Sequence, residues 1–102
     1  MTGKEIREAE ILQEACLTLE QLCAAAALER DWLIRHVEEG LIPVAGTVVA
    51  EWRFTTVHLR RAKRMHEIER TYDAEPELAG LVADMLEELD DLRALLRRHG
   101  LA

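Results

Sequence analysis

A chain of 102 residues fits one domain near the lower end of comfortable size. With 49% hydrophobic but only 4% aromatic residues, its core must be aliphatic, and self-association becomes an attractive way to bury more of it. No apolar run approaches a membrane span, no basic segment leads an apolar block as in a secretory signal, and Cys16 and Cys23 lack CxxC spacing, so a reducing cytoplasm is expected.

Helix formers dominate, while five glycines and two prolines punctuate the chain, which favours a mainly α fold. Residues 1–16 have a poor apolar stripe and are expected to form a partly extended arm that enters the domain through Cys16 and Leu17. The stretch from Thr18 to Pro43 reads as two short helices and a tight turn, a helix-turn-helix. Thr18 caps the first helix, with Gln21 completing a capping box, and Leu19, Leu22, Cys23 and Ala26 share one face. The second helix is expected from Glu29 to Glu39, with Leu33 and Val37 inward and Trp32 or Leu28 beside them. Gly40 suits the left-handed position after it, and Pro43 follows.

Beyond Pro43, Val44, Gly46, Val48, Val49, Trp52 and Phe54 set β-branched and aromatic residues around a glycine. That pattern predicts a small β-hairpin, the wing of a winged helix-turn-helix, anchored by Trp52 or Phe54. Thr55 or Thr56 caps a third helix running to Arg70, with Val57, Leu59, Ala62, Met65, Ile68 and His66 on its inner side. A last helix starts near Pro76 and ends before Gly100, with acids early and arginines late, as the helix dipole prefers. In it Leu78, Met85 and Leu92 fall on one heptad position and Val82, Leu89 and Leu96 on another. This stripe predicts helix pairing in a homodimer. The organisation expected is therefore an arm (1–16), a winged helix-turn-helix domain (17–71) and a dimerisation helix (72–102).

The formal charge of −7 is uneven: −6 over residues 1–52, +4 over residues 53–70 and −5 over residues 71–102. A net acidic chain starts at a disadvantage for nucleic acid, whose affinity comes largely from neutralised phosphates. Arg30, Arg35 and His36 have four acidic neighbours that would repel a duplex, so the best phosphate contacts are the cluster Arg60, Arg61, Lys63 and Arg64, whose other reading is as counter-charge to the acidic last helix. Nothing points to an enzyme. His36, His58, His66 and His99 have no metal-ligand spacing, and there is no phosphate loop or nucleophile motif, so no catalytic residue, metal or cofactor is expected.

The run LTLEQLC, then WLIRHVEEGLIPV, then EWRF and a helix containing LRRA, resembles MerR-like helix-turn-helix proteins and, more narrowly, chaperone modulators of the CbpM type. The resemblance covers residues 17–96. Its link YDAEPELAGL departs from the Gly- and Asn-containing link usual in relatives. The resemblance implies a protein that binds the J-domain of a DnaJ-like (CbpA-type) co-chaperone and inhibits it by masking the surface that DnaK needs. The same resemblance implies that a J-domain meets its chaperone through a basic helix, so its competitor should offer carboxylates. The second helix carries four acids, Glu29, Asp31, Glu38 and Glu39, against Arg30 and Arg35, a net of −2. Glu29, Asp31, Trp32, Arg35, Glu38 and Glu39 are the expected partner contacts, Trp32 as an apolar anchor. The alternative, a MerR-like DNA-binding regulator, is weakened at the same helix, where these acids would repel a duplex.

Overall fold

The computed structural model describes residues 16–101. The expectation for the arm therefore lies mostly outside the described residues. Helix α1 spans Leu19–Ala26, α2 spans Arg30–Glu38, α3 spans Thr56–Tyr72 and α4 spans Pro76–Arg98. The chain divides into two compact units, one up to Lys63 and one from Arg64, so α3 belongs to the first by its start and to the second by its end.

In the first unit, local chemistry sets each helix end. The Thr18 hydroxyl accepts from the Gln21 N–H at 3.1 Å, and the Gln21 side chain accepts from the Thr18 N–H at 2.9 Å. This reciprocal cap satisfies two of the donors that a helix start leaves open. Leu19 and Leu22 are buried, while Cys23 and Ala26 are half-buried on the same side. Burial raises the Cys23 thiol above its usual pKa; Glu20 adds to the rise and Arg30 opposes it. It therefore behaves as a small hydrophobe. Helix α1 stops at Ala27, whose φ of 55° is left-handed, and the Leu28 N–H closes back to the Cys23 carbonyl at 3.0 Å.

Helix α2 packs on α1 and buries Leu33 and Val37, with Leu28 buried just before it. Its end is a Schellman motif. Gly40 takes φ 78°, the Gly40 N–H bonds the Val37 carbonyl at 3.0 Å and the Leu41 N–H bonds the His36 carbonyl at 2.9 Å. Ile42 is then buried.

The expected hairpin wing does not form. The segment holds one isolated antiparallel bridge, Ala45 with Arg53, and between them a 3-10 turn at Val49–Glu51. Among the described residues there is no strand ladder. The reason lies at Gly46, with φ 106°, where an added Cβ would come within 2.7 Å of the Glu51 carbonyl oxygen. The chain folds tightly onto itself there, and the residues between Ala45 and Arg53 turn through the 3-10 segment instead of pairing. Val48 is exposed, so alternation of apolar letters was no guide to pairing. Phe54 pairs instead with Leu17, each N–H reaching the other's carbonyl at 2.8 and 3.0 Å. Trp52 and Phe54 are both buried and meet edge to face at 6.4 Å.

Helix α3 opens on a capping box in which histidine replaces the usual Glu or Gln. The Thr55 hydroxyl accepts from the His58 N–H at 3.1 Å, and His58 Nδ1 accepts from the Thr55 N–H at 3.1 Å. Its inward side differs from the expectation. Ala62 and Met65 are buried and Leu59, His66 and Ile68 half-buried, but Val57 is exposed and His58 and Arg61 take inner places.

In the second unit, Asp73 adopts φ 52° after α3, and Pro76 starts α4. Small residues of α4, Ala79, Gly80 and Ala83, are buried. Arg64 and Asp90 tie α3 to α4 at 2.9 Å. Gly100, with φ 69°, closes α4, and the Leu101 N–H bonds the Leu96 carbonyl.

Candidate functional site

At 100° per residue, Asp31, Ile34, Arg35 and Glu38 fall on one side of α2, away from the buried Leu33, His36 and Val37. Asp31, Arg35, Glu38 and Glu39 are exposed, and Ile34 is half-buried among them. Glu29 is exposed at the N-cap and makes no side-chain capping bond. The neighbouring Arg30 leans to Glu20 of α1 at 3.5 Å, an exposed pair of little energetic weight. None of Glu29, Asp31, Glu38 and Glu39 takes an ion pair among the described residues.

Two of these carboxylates break a local rule. Glu38 is the last residue of α2 and Glu39 its C-cap, at the negative end of the helix dipole. Each is unfavourable there by roughly 0.3–1 kcal/mol. Places where a sequence violates helix chemistry without a compensating bond are where a functional demand is to be sought.

Trp32 stands apart from this face. It is half-buried, and its indole stacks on the His36 imidazole with centroids 3.7 Å apart. His36 Nδ1 lies 2.7 Å from the Trp32 carbonyl oxygen, so Nδ1 carries the proton and donates. The ring is thus held at the edge of the acidic face by its own helix. Ile34 is the apolar residue that lies within that face. Its spacing from Asp31 and Glu38 was available in the sequence, but an apolar letter is assigned to the core by default.

The basic cluster of α3 separates into different roles. Arg60 and Lys63 are exposed. Arg61 retains 9% of its accessible surface, and its Nε–H donates to the Leu41 carbonyl at 2.7 Å. Arg64 is paired with Asp90, and its Nη1 is buried without a hydrogen-bond partner. The expected group of four phosphate contacts therefore reduces to two accessible cations. Acidic residues nearby in sequence did not reveal this, because the bond from Arg61 spans 20 residues.

In α4 the heptad residues Leu78, Met85, Leu89, Leu92 and Leu96 are 41–57% exposed, as are Leu81 and Leu95, and Val82 is half-buried. The large aliphatic stripe and the buried Ala79, Gly80 and Ala83 lie on different sides of the helix. Among the described residues, no helix is long and apolar enough to cross a membrane, and no group of three His, Cys, Asp or Glu is placed to hold a metal ion.

Comparison with known proteins bears on these features together. The family described as MerR HTH family regulatory protein matches residues 17–98. The chaperone modulatory protein CbpM of Pseudomonas entomophila is 33% identical over 81 residues, covering 76% of this chain and 77% of that protein. The chaperone modulatory protein CbpM of Coxiella burnetii is 29% identical over 97 residues, covering 95% and 92%. That of Pseudomonas putida is 27% identical over 78 residues, covering 76% and 77%. No solved structure gives a significant match. The match from residue 17 to 98, which holds both helices of the turn motif and all of α4, places the chain in the MerR-like helix-turn-helix family, among the chaperone modulatory proteins of the CbpM type.

Proposed function

We propose that this protein modulates a chaperone system by binding the J-domain of a DnaJ-like co-chaperone of the CbpA type, masking the surface through which that domain engages DnaK. The observation that carries the reading is the exposed face of α2, where Asp31, Glu38 and Glu39 take no ion pair among the described residues and two of them oppose the helix dipole. A basic partner helix would supply the missing counter-charge. Its field would speed encounter and fix orientation, while Ile34, and Trp32 at the edge, give apolar area to bury. The protein acts as a binding module in this reading, in the cytoplasm and without catalysis, and works as a homodimer paired through the α4 stripe.

The relatives' names support a chaperone-modulating role, and the loss of Arg61 and Arg64 as free cations counts against a duplex-binding one. The test is charge reversal. Glu38→Lys with Glu39→Lys is expected to weaken J-domain binding roughly tenfold or more at low salt, with a loss that shrinks as the Debye length shortens. Unchanged affinity at low salt would remove α2 as the contact.

A further inference from the structure

We infer that Arg61 is a positioning residue for the acidic end of α2, so that one arginine of the basic cluster serves the partner site from behind. The inference rests on the reading of α2 given above and adds to it the device that holds its last turn.

The geometry is specific. The Leu41 backbone is held at both its N–H and its carbonyl. Its N–H closes the Schellman motif on the His36 carbonyl at 2.9 Å, and its carbonyl accepts from Arg61 Nε at 2.7 Å. Ile42, the next residue, is buried and sends its own N–H to the same His36 carbonyl at 3.3 Å. Glu38 and Glu39 sit immediately before this clamp, and the Glu39 N–H is bonded to the Arg35 carbonyl. Two carboxylates at a helix C-terminus favour fraying, because the dipole repels them. A guanidinium bonded just beyond that terminus acts the other way, both through its charge and by satisfying a carbonyl. Arg61 is nine-tenths buried, and its Nε bond ties it to the segment that leaves α2. Lysine cannot reproduce the contact, since it lacks an Nε–H at that distance along its stem and carries a more strongly hydrated charge.

The expected consequence is energetic coupling between Arg61 and the two carboxylates. The experiment titrates the full chain with the J-domain of a CbpA-type co-chaperone, in the wild type, Arg61→Lys, Glu38→Gln with Glu39→Gln, and the combination. Arg61→Lys is expected to weaken binding about tenfold in the wild-type background and less than about twofold once both carboxylates are amides. A second route uses Gly40→Ala, which loosens the same clamp while Arg61 stays intact. Gly40 has φ 78° and nothing within 4 Å of an added Cβ, so the change strains the backbone without a clash. It should reproduce the loss, and again only with Glu38 and Glu39 present.

Equal losses in both backgrounds for either variant would overturn the positioning role. So would unchanged binding in a folded Gly40→Ala protein. If the double amide variant alone binds as tightly as wild type, the reading of α2 as the contact fails, and the positioning role falls with it. If the double amide variant weakens binding but the arginine and glycine effects remain additive, only the positioning role fails.

Discussion

His58 is a titratable group used as a cap. Its Nδ1 accepts from the Thr55 N–H, which requires the neutral ring with its proton on Nε2. Burial lowers its pKa to about 4, and Phe54 contributes to that enclosure with an edge-to-face contact at 6.2 Å. The unfolded chain binds this proton near the ordinary histidine value of 6.5. Between the two values the unfolded state holds more protons, so the stability due to His58 is complete above pH 6.5 and is lost as the pH falls towards about 4. His58→Gln keeps a side-chain acceptor for the capping box and removes the titration. Urea midpoints measured across this window are expected to fall less for the variant than for the wild type. Parallel curves would contradict the assignment. Ala27 is the opposite case, a residue in the conformation glycine prefers, with φ 55° on an exposed surface. Ala27→Gly should raise stability by about 1 kcal/mol, read as a higher urea midpoint, and a lower midpoint would contradict the strain.

At the scale of elements, the legible parts were those fixed by local chemistry. Thr18 with Gln21, Gly40, Pro76 and Gly100 each act within a few residues of their own position, and each stands at the helix end expected of it. The illegible parts depend on what lies across space. The hairpin expected after Pro43 fails because Gly46 folds the backbone against Glu51, a closeness no alternation of valines encodes. The inner side of α3 holds His58 and Arg61, which polarity alone assigns to the outside, because a buried polar group is tolerated when it is hydrogen-bonded; Val57 is correspondingly turned out. In α4 the heptad was visible, yet the side that is covered is the small one, Ala79, Gly80 and Ala83. The remaining exposed area on its seven large aliphatic residues is worth on the order of 1 kcal/mol each when buried. That supports pairing of α4 with a second copy. Sedimentation equilibrium at micromolar concentration should give a dimer for the wild type and a monomer for Met85→Glu with Leu89→Glu, both variants retaining helical circular dichroism. A wild-type monomer at high micromolar concentration would contradict the pairing.

For the molecule as a whole, the sign and placement of charge decide between partners. The chain is acidic at both ends and basic only between residues 53 and 70, and the structure removes Arg61 and Arg64 from that basic surface. What it leaves accessible on α2 is a carboxylate face with an isoleucine within it and a tryptophan at its edge. Those properties suit a cationic helix of another protein better than a phosphate backbone. The direct measurement is a calorimetric titration of the wild-type protein with the J-domain of a CbpA-type co-chaperone, with a mixed-sequence duplex DNA titrated beside it at low salt. Saturable heat with the J-domain and none with the duplex is the predicted result. Duplex binding with a steep salt dependence, and no heat with the J-domain, would contradict it and return Arg60 and Lys63 to the role of phosphate contacts.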